Sequence, residues 1–366
     1  MAAQSSKFSS SGFFPDGLNS ACIEFIRSFW QSKYRMAANL TPQYHKAEEE
    51  YRRASTPEDE LRWLEEMLRE MPKHKGTDKL QAELKQKISK AKQEVETSKK
   101  AGSKKGPSLK IPRQGAGRAV MIGGPNSGKS QLLKSVTRAT PEVAPYPFTT
   151  REPQLGMMAW EDVMVQLIDT PPITKDVFDH TLLGLIRGAD VVLFLVDLGS
   201  DEGIEQVQEV LDQLNGTKTR LARESYLDEE DIGLSFTQTL LVLNKFDLPE
   251  AEDRLGLLRE FSQLEFPEFR ISAEQLLGLE ELRNAIFKAL HVVRVYTKLP
   301  TKKEADFDRP FTIRRGGTLL EVAELVHRDL AENFKYARVW GSNVIGGSTL
   351  KGDYVVHDKD VVEIHT

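Results

Sequence analysis

The eight residues Gly123–Ser130, GGPNSGKS, constrain the chain more than any other stretch. They match the G-x-x-x-x-G-K-S pattern of a phosphate-binding loop, which works only between the end of a buried strand and the start of a helix. Both flanks are present: RAVMIGG ahead of it is near-continuously apolar, and 128 to 138 behind it has helical spacing. Four more apolar runs, VMVQLID, VVLFLVD, TLLVLN and EFRISA, alternate with helical stretches at 176 to 187, 202 to 215, 251 to 264 and 278 to 290. Strands without polar alternation are covered on both faces. The pattern therefore predicts an open, doubly wound α/β sheet whose ligand lies beyond the carboxyl ends of its strands. The nearby GAGRAV lacks the last glycine of a dinucleotide fingerprint and is set aside.

Each strand end carries a polar group suited to a nucleotide. Gly123, Pro125, Asn126, Ser127, Gly128, Lys129, Ser130 and Gln131 are expected to surround the phosphates with backbone N–H groups and a helix N-terminus. Lys129 would neutralise the β and γ oxygens, and the Ser130 hydroxyl would ligate Mg2+. Asp169 closes VMVQLID and is placed to hold that ion through a water. In NKFD, 244 to 247, Asp247 can accept from both the N1–H and the exocyclic amine of guanine, a pair that adenine lacks. Asn244 would brace the loop and the Lys245 stem would cover the base. ISA, 271 to 273, places Ser272 and Ala273 at the next strand end, where the Ala273 N–H is expected to reach guanine O6. Each short motif is weak alone, and together, in order, they are strong.

At 366 residues the chain has room for two or three domains. Residues 1 to 35 carry an apolar helical face at Leu18, Cys22, Phe25, Ile26 and Phe29; Asp16 and Glu24 interrupt any signal-peptide core, so the segment reads either as a face for a membrane or partner or as a non-native or dispensable extension ahead of a start at Met36. Residues 36 to 100 read as a helical hairpin broken at MPKHKGT, 101 to 117 as a basic linker, and 118 to 292 as the α/β domain. A second linker, 293 to 309, then leads to a β-grasp, ubiquitin-like domain at 310 to 366. Its strands would be PFTIRR, ARVWG, DYVVHD and VVEIH, with a helix started by a Thr318–Glu321 capping box. No apolar run approaches the ~20 residues that a membrane helix needs. The single cysteine, Cys22, leaves no internal disulfide and fits a cytoplasmic setting. Residues 73 to 118 hold fourteen Lys or Arg against four Asp or Glu, so this part can meet a phosphate backbone or stand as a solvated face. In the tail, Lys335, Tyr336, Arg338 and Trp340 are candidates for RNA contact, although Trp340 reads as core.

The ordered set resembles the translation-factor class of GTPases, and YPFTT (146 to 150) with PNSGKS resembles the Obg branch. Within it, FKYARVWGS, DKDVVEI, VRVYTK and HKGTDKLQAELKQKISKAK resemble the developmentally regulated GTP-binding (DRG) proteins, which carry a C-terminal TGS domain. The resemblance runs from about Thr41 to the C-terminus. It implies a magnesium-dependent GTPase that cycles slowly on ribosomes or RNA, with GTP and GDP as ligands and a regulatory protein as a further partner. It makes Thr150, in preference to Thr149, the switch threonine that ligates Mg2+ in the GTP state. Asn126 matches the loop asparagine that helps to hold K+ in potassium-activated relatives, so Lys129, Thr150 and Asn126 are the catalytic candidates.

One stretch departs from that pattern. LIDTPPITK carries Pro172 where the family has glycine, whose N–H bonds the γ-phosphate, and proline has no N–H. A hydrogen bond to a charged group is worth roughly 1.5 to 3 kcal/mol, enough to erase about ten-fold of a preference for GTP. Ile173 follows, where many GTPases place a water-orienting glutamine. The resemblance makes a hydrophobic residue there usual in the Obg group, so Ile173 does not argue against turnover, and a shifted loop with another N–H in place of the missing donor stays open. Three functions are open on the sequence: a GTPase, a guanine-nucleotide-binding module with negligible hydrolysis, and an RNA-binding scaffold, against which intact Lys129, Ser130, Asp169 and Asp247 count.

Overall fold

The computed structural model describes residues 40–54, 57–73, 77–100, 111–137, 142–143, 153–175, 178, 180–228, 233–262, 264–302 and 304–366. The extension at 1 to 35, the linker lysines Lys104, Lys105 and Lys110, and the switch residues Thr149 and Thr150 lie outside them.

Nine described strands build the larger sheet: β1 Arg118–Ile122, β2 Glu142–Val143, β3 Gln154–Trp160, β4 Val163–Asp169, β5 Val191–Asp197, β6 Thr219–Ala222, β7 Tyr226–Leu227, β8 Ser235–Asn244 and β9 Glu268–Arg270. Their order is β2-β3-β4-β1-β5-β8-β6, with β7 and β9 also paired to β8. β4, β1, β5, β8 and β9 run parallel; the first four are largely buried, as strands covered on both faces should be, whereas β9 is half-buried to exposed. One face packs Leu132 and Leu133 of the helix Lys129–Val136 and Leu282 and Ile286 of Leu279–Ala289. The other packs Leu182 and Ile186 of His180–Arg187, Val207 and Val210 of Glu202–Asn215, and Leu255 and Leu258 of Ala251–Phe261. All the central strands thus end at one rim, and the polar residues that follow them share it. β3 was not legible as an apolar run because only Gly156 and Met158 along it are buried, the rest half-buried. It pairs antiparallel with β4 and brings Gln154 opposite Asp169.

The expected helical hairpin is three helices among the described residues, Pro42–Arg52, Pro57–Glu70 and Asp78–Lys100. The first escapes an aliphatic pattern because it buries Tyr44, Ala47 and Tyr51, against Leu64, Met67, Leu84 and Ile88. Thr41 caps it, its Oγ1 accepting the Tyr44 N–H at 3.1 Å.

The C-terminal domain is a five-stranded sheet in the order β11-β10-β14-β12-β13, from β10 Val292–Thr297, β11 Asp306–Arg314, β12 Tyr336–Gly341, β13 Val344–Leu350 and β14 Asp360–His365. Helix Leu319–Val326 covers it, with the Thr318–Glu321 capping box formed. Three expectations are corrected here. Residues 293 to 309 are not a linker: β10 lies between β11 and β14, with Val293 and Val295 buried in the domain core. DYVVHD is turn with one isolated bridge at Val355 rather than a strand, and the strand is VIGGSTL, whose glycines hid it. Trp340 is half-buried rather than core, on the face opposite Ala337 and Val339, with Lys298 Nζ 4.7 Å from its ring centre. No helix among the described residues is long and apolar enough to cross a membrane.

Arg294 of β10 locks the two sheets together. Its side chain is only 3% exposed, yet it reaches Asp358 Oδ2 at 2.7 Å in its own domain and Asp162 Oδ1 at 2.8 Å and Glu161 Oε2 at 2.5 Å at the β3–β4 turn. Tyr296 donates to Asp162 beside it, and Trp160, stacked on Phe287 at 3.7 Å, lies under the guanidinium. Burial pushes the Asp162 and Asp358 carboxyls up, but hydrogen bonds from Tyr296 and Arg294 at Asp162, and from Arg294 at Asp358, more than offset it and hold both below the usual range.

The guanidinium is buried, but its carboxylate partners are partly exposed, so solvent screens each pair. Arg294→Met is expected to lose about 1.5 kcal/mol in urea unfolding of the full chain. Because these folded carboxyl pKa values are depressed, their stabilisation is present above the ordinary value of about 4 and is lost as the pH falls through the folded values. The acid loss of thermal stability should accordingly be smaller in Arg294→Met than in the wild type.

Candidate nucleotide-binding site

The loop after β1 is shaped by close approaches that only glycine allows. Gly128 has φ +90°, and a β-carbon there would collide with Asn244 Nδ2; one at Gly123 would strike the Leu195 carbonyl. The N–H groups of Asn126, Ser127 and Gly128 meet no acceptor among the described residues, the arrangement that an anion requires. Lys129 is buried and donates from Nζ to Gly124 O at 2.8 Å and Gly123 O at 3.1 Å. The cleft so formed has a volume of about 910 Å³ and is lined by Pro125 through Gln131, Gln154, Asp169 through Pro172, and Lys245.

Asp169 faces Ser130 across this cleft, with Ser130 Oγ donating to Oδ2 at 2.5 Å. Its other oxygen, Oδ1, is buried without a hydrogen-bond partner. Burial pushes the carboxyl up, and the Ser130 hydroxyl and Lys129 pull it partly back. A buried oxygen with no donor beside a hydroxyl ligand is a donor set that fits Mg2+.

The base end is built around Asn244. Its Nδ2 donates to Ser127 O at 3.0 Å, and its Oδ1 accepts the Ala273 N–H at 3.0 Å. This bracing role is the one expected, but it corrects another expectation: the Ala273 N–H is committed to Asn244 and does not point at a ligand. The next N–H, that of Glu274, has no acceptor among the described residues, and no sequence signal marked it. Ser272 is buried, its Oγ accepting the Gln275 N–H at 3.0 Å. Lys245 holds a left-handed backbone, φ +61°, with Nζ 2.6 Å from Asp197 Oδ2. Asp247 is exposed, and no group among the described residues pairs with its carboxylate.

Switch II starts at Asp169 and is tied down locally. Thr170 Oγ1 donates to Met121 O at 2.7 Å, and the Ile173 N–H donates to Gly123 O at 3.2 Å. Ile173 is 1% exposed, inside the core. Pro172 lines the cleft without an N–H, and its neighbour's N–H is already spent on the loop.

Residues 118–229 match the 50S ribosome-binding GTPase family, and residues 293–366 match the TGS domain. An uncharacterized GTP-binding protein of Methanocaldococcus jannaschii is 27% identical over an alignment covering 84% of this chain and 92% of the relative. The developmentally regulated G-protein 2 of Arabidopsis thaliana is 26% identical, over 84% of this chain and 90% of its own. Over most of its length the chain is similar to GTP-binding proteins of the DRG family. The TGS match begins at residue 293, inside β10, in agreement with the corrected boundary. A solved GTP-binding protein of Pyrococcus horikoshii is similar with a TM-score of 0.46 at 15% identity, over 68% of this chain and 99% of that one.

In this DRG-type site, Asp247→Asn leaves the loop's shape but presents an amide where guanine needs two acceptors. Titration with GDP should show affinity falling at least ~10-fold, the worth of one lost hydrogen bond to a charged group.

Proposed function

We propose that this protein hydrolyses GTP to GDP and phosphate slowly, with K+ or a protein partner raising the rate, in ribosome- or RNA-linked regulation. The observation that carries the reading is the convergence of Lys129, Ser130, Asp169 and the Asn244–Asp247 loop at one rim of the sheet. Bound Mg2+ would neutralise charge between the β and γ phosphates. Ser130 and Asp169 would hold that ion, with Thr150 added in the GTP state, and Lys129 would hold the phosphate oxygens. Asn126, exposed at φ +58° on the cleft wall, is the residue for K+. Asp247 selects guanine, and the Lys245 stem covers the base. A link to RNA is supported by the exposed Lys85 and Lys90 on the helix Asp78–Lys100 and by exposed Lys335 and Arg338 in the TGS domain.

A second reading, a guanine-nucleotide-binding module with negligible hydrolysis, is favoured by switch II. Pro172 has no N–H for a γ-phosphate, and the Ile173 N–H bonds Gly123. Single-turnover GTP cleavage in KCl, with NaCl as control, separates the two for wild type and Pro172→Gly. Hydrolysis is expected in the wild type, faster in KCl and little changed by glycine. An inert wild type rescued by Pro172→Gly would replace the first reading by the second.

A further inference from the structure

Asp197 ends β5 and belongs to none of the nucleotide-loop motifs. Its side chain is 5% exposed, with Oδ2 2.6 Å from Lys245 Nζ and Oδ1 accepting the Gly199 N–H at 2.7 Å. β5 and β8 run parallel with Asp197 opposite Asn244, so the carboxylate sits one residue behind the lysine that it holds. The turn that follows closes around the same side chain. A β-carbon on Gly199 would come to 3.0 Å from Lys245 Cδ, 3.0 Å from Asp197 Oδ1 and 2.8 Å from Leu248 Cδ1. The Leu198 N–H donates to Asn244 O at 3.1 Å, and Arg254 reaches Leu198 O at 3.3 Å and Asp201 Oδ1 at 2.7 Å. The bracket therefore grips both the backbone and the stem of the base-binding loop.

We propose that Asp197 is a positioning residue that fixes the Lys245 stem as one wall of the base pocket and so slows nucleotide release, without taking part in the choice of base. The inference rests on the reading that this stem covers the base. A lysine stem has four rotatable bonds, and an ion pair at its tip removes the entropy that packing on a ligand would otherwise have to overcome. Every purine offers the same face to that wall, whereas only Asp247 reads the exocyclic amine. Loss of Asp197 must then speed the release of guanine and hypoxanthine nucleotides alike.

The test is the release rate of GDP and of IDP from the full chain with Mg2+, displaced by excess unlabelled GDP. Asp197→Asn keeps the acceptor for Gly199 and loses the charge, and Lys245→Met keeps the stem and loses the ammonium. Each is expected to speed both releases by about ten-fold, leaving the GDP to IDP ratio as in the wild type. The double variant should be no faster than either single one, because the two changes break one interaction. Asp247→Asn should instead collapse the ratio. The proposal is overturned if Asp197→Asn leaves both rates within about two-fold of wild type, or if it speeds GDP alone, or if the two changes add in full. An Asp247→Asn protein that releases GDP as the wild type does would remove the base-site reading itself, and the proposal with it, a result distinct from an inert Asp197.

Discussion

One side-chain amide holds the site together. Asn244 donates to the carbonyl of Ser127 in the phosphate loop and accepts from the N–H of Ala273 beyond β9, while its own strand brings Lys245 and Asp247 behind it. Three loops from three strands are thus tied by two hydrogen bonds inside the protein, where both ends of the amide are satisfied and neither is exposed to water. Gly128 is the counterpart of this contact, since no residue with a β-carbon lets the amide come so close. The phosphate and base ends consequently keep a fixed separation.

The metal end is organised differently. Asp169 is held by Ser130 on one oxygen and left without a donor on the other, so charge there is only partly compensated by the protein. Switch II leaves this residue and returns at once to the core through Thr170 and Ile173. Its anchoring is to β1 and the phosphate loop. Pro172 has no N–H to offer a third phosphate. The β3–β4 hairpin connects the same region to the TGS domain, with Gln154 and Asp169 at its inner end and the Arg294 cluster at its tip.

Much of this was legible because the chemistry is tied to backbone position. A phosphate loop needs its glycines, a strand buried on both faces needs a continuous apolar run, and a capping box needs Thr318 three residues before Glu321. Those elements stand where the sequence placed them. Direction was harder to read than position: ISA located Ala273 at the rim, but not that its N–H turns inward to Asn244. The first helix was missed because tyrosine and alanine, not aliphatic residues, form its buried face. β10 reads as a connection in the sequence because VVRVYT follows directly on a helix, and only its pairing with both β11 and β14 makes it part of the TGS sheet. Asp197 could not be singled out, since an aspartate at a strand end is usually a turn former, and its partner is 48 residues away.

On the proposed reading, the described residues hold guanine nucleotide while Pro172 offers no N–H to the γ-phosphate. Titration of the wild type and Pro172→Gly with GDP and with a non-hydrolysable GTP analogue, both with Mg2+, tests it most directly. The account predicts that the two nucleotides bind the wild type with affinities within a few-fold of each other, and that glycine shifts the balance toward the analogue by about ten-fold. A wild type that already prefers the analogue strongly, with a ratio unmoved by Pro172→Gly, would contradict it.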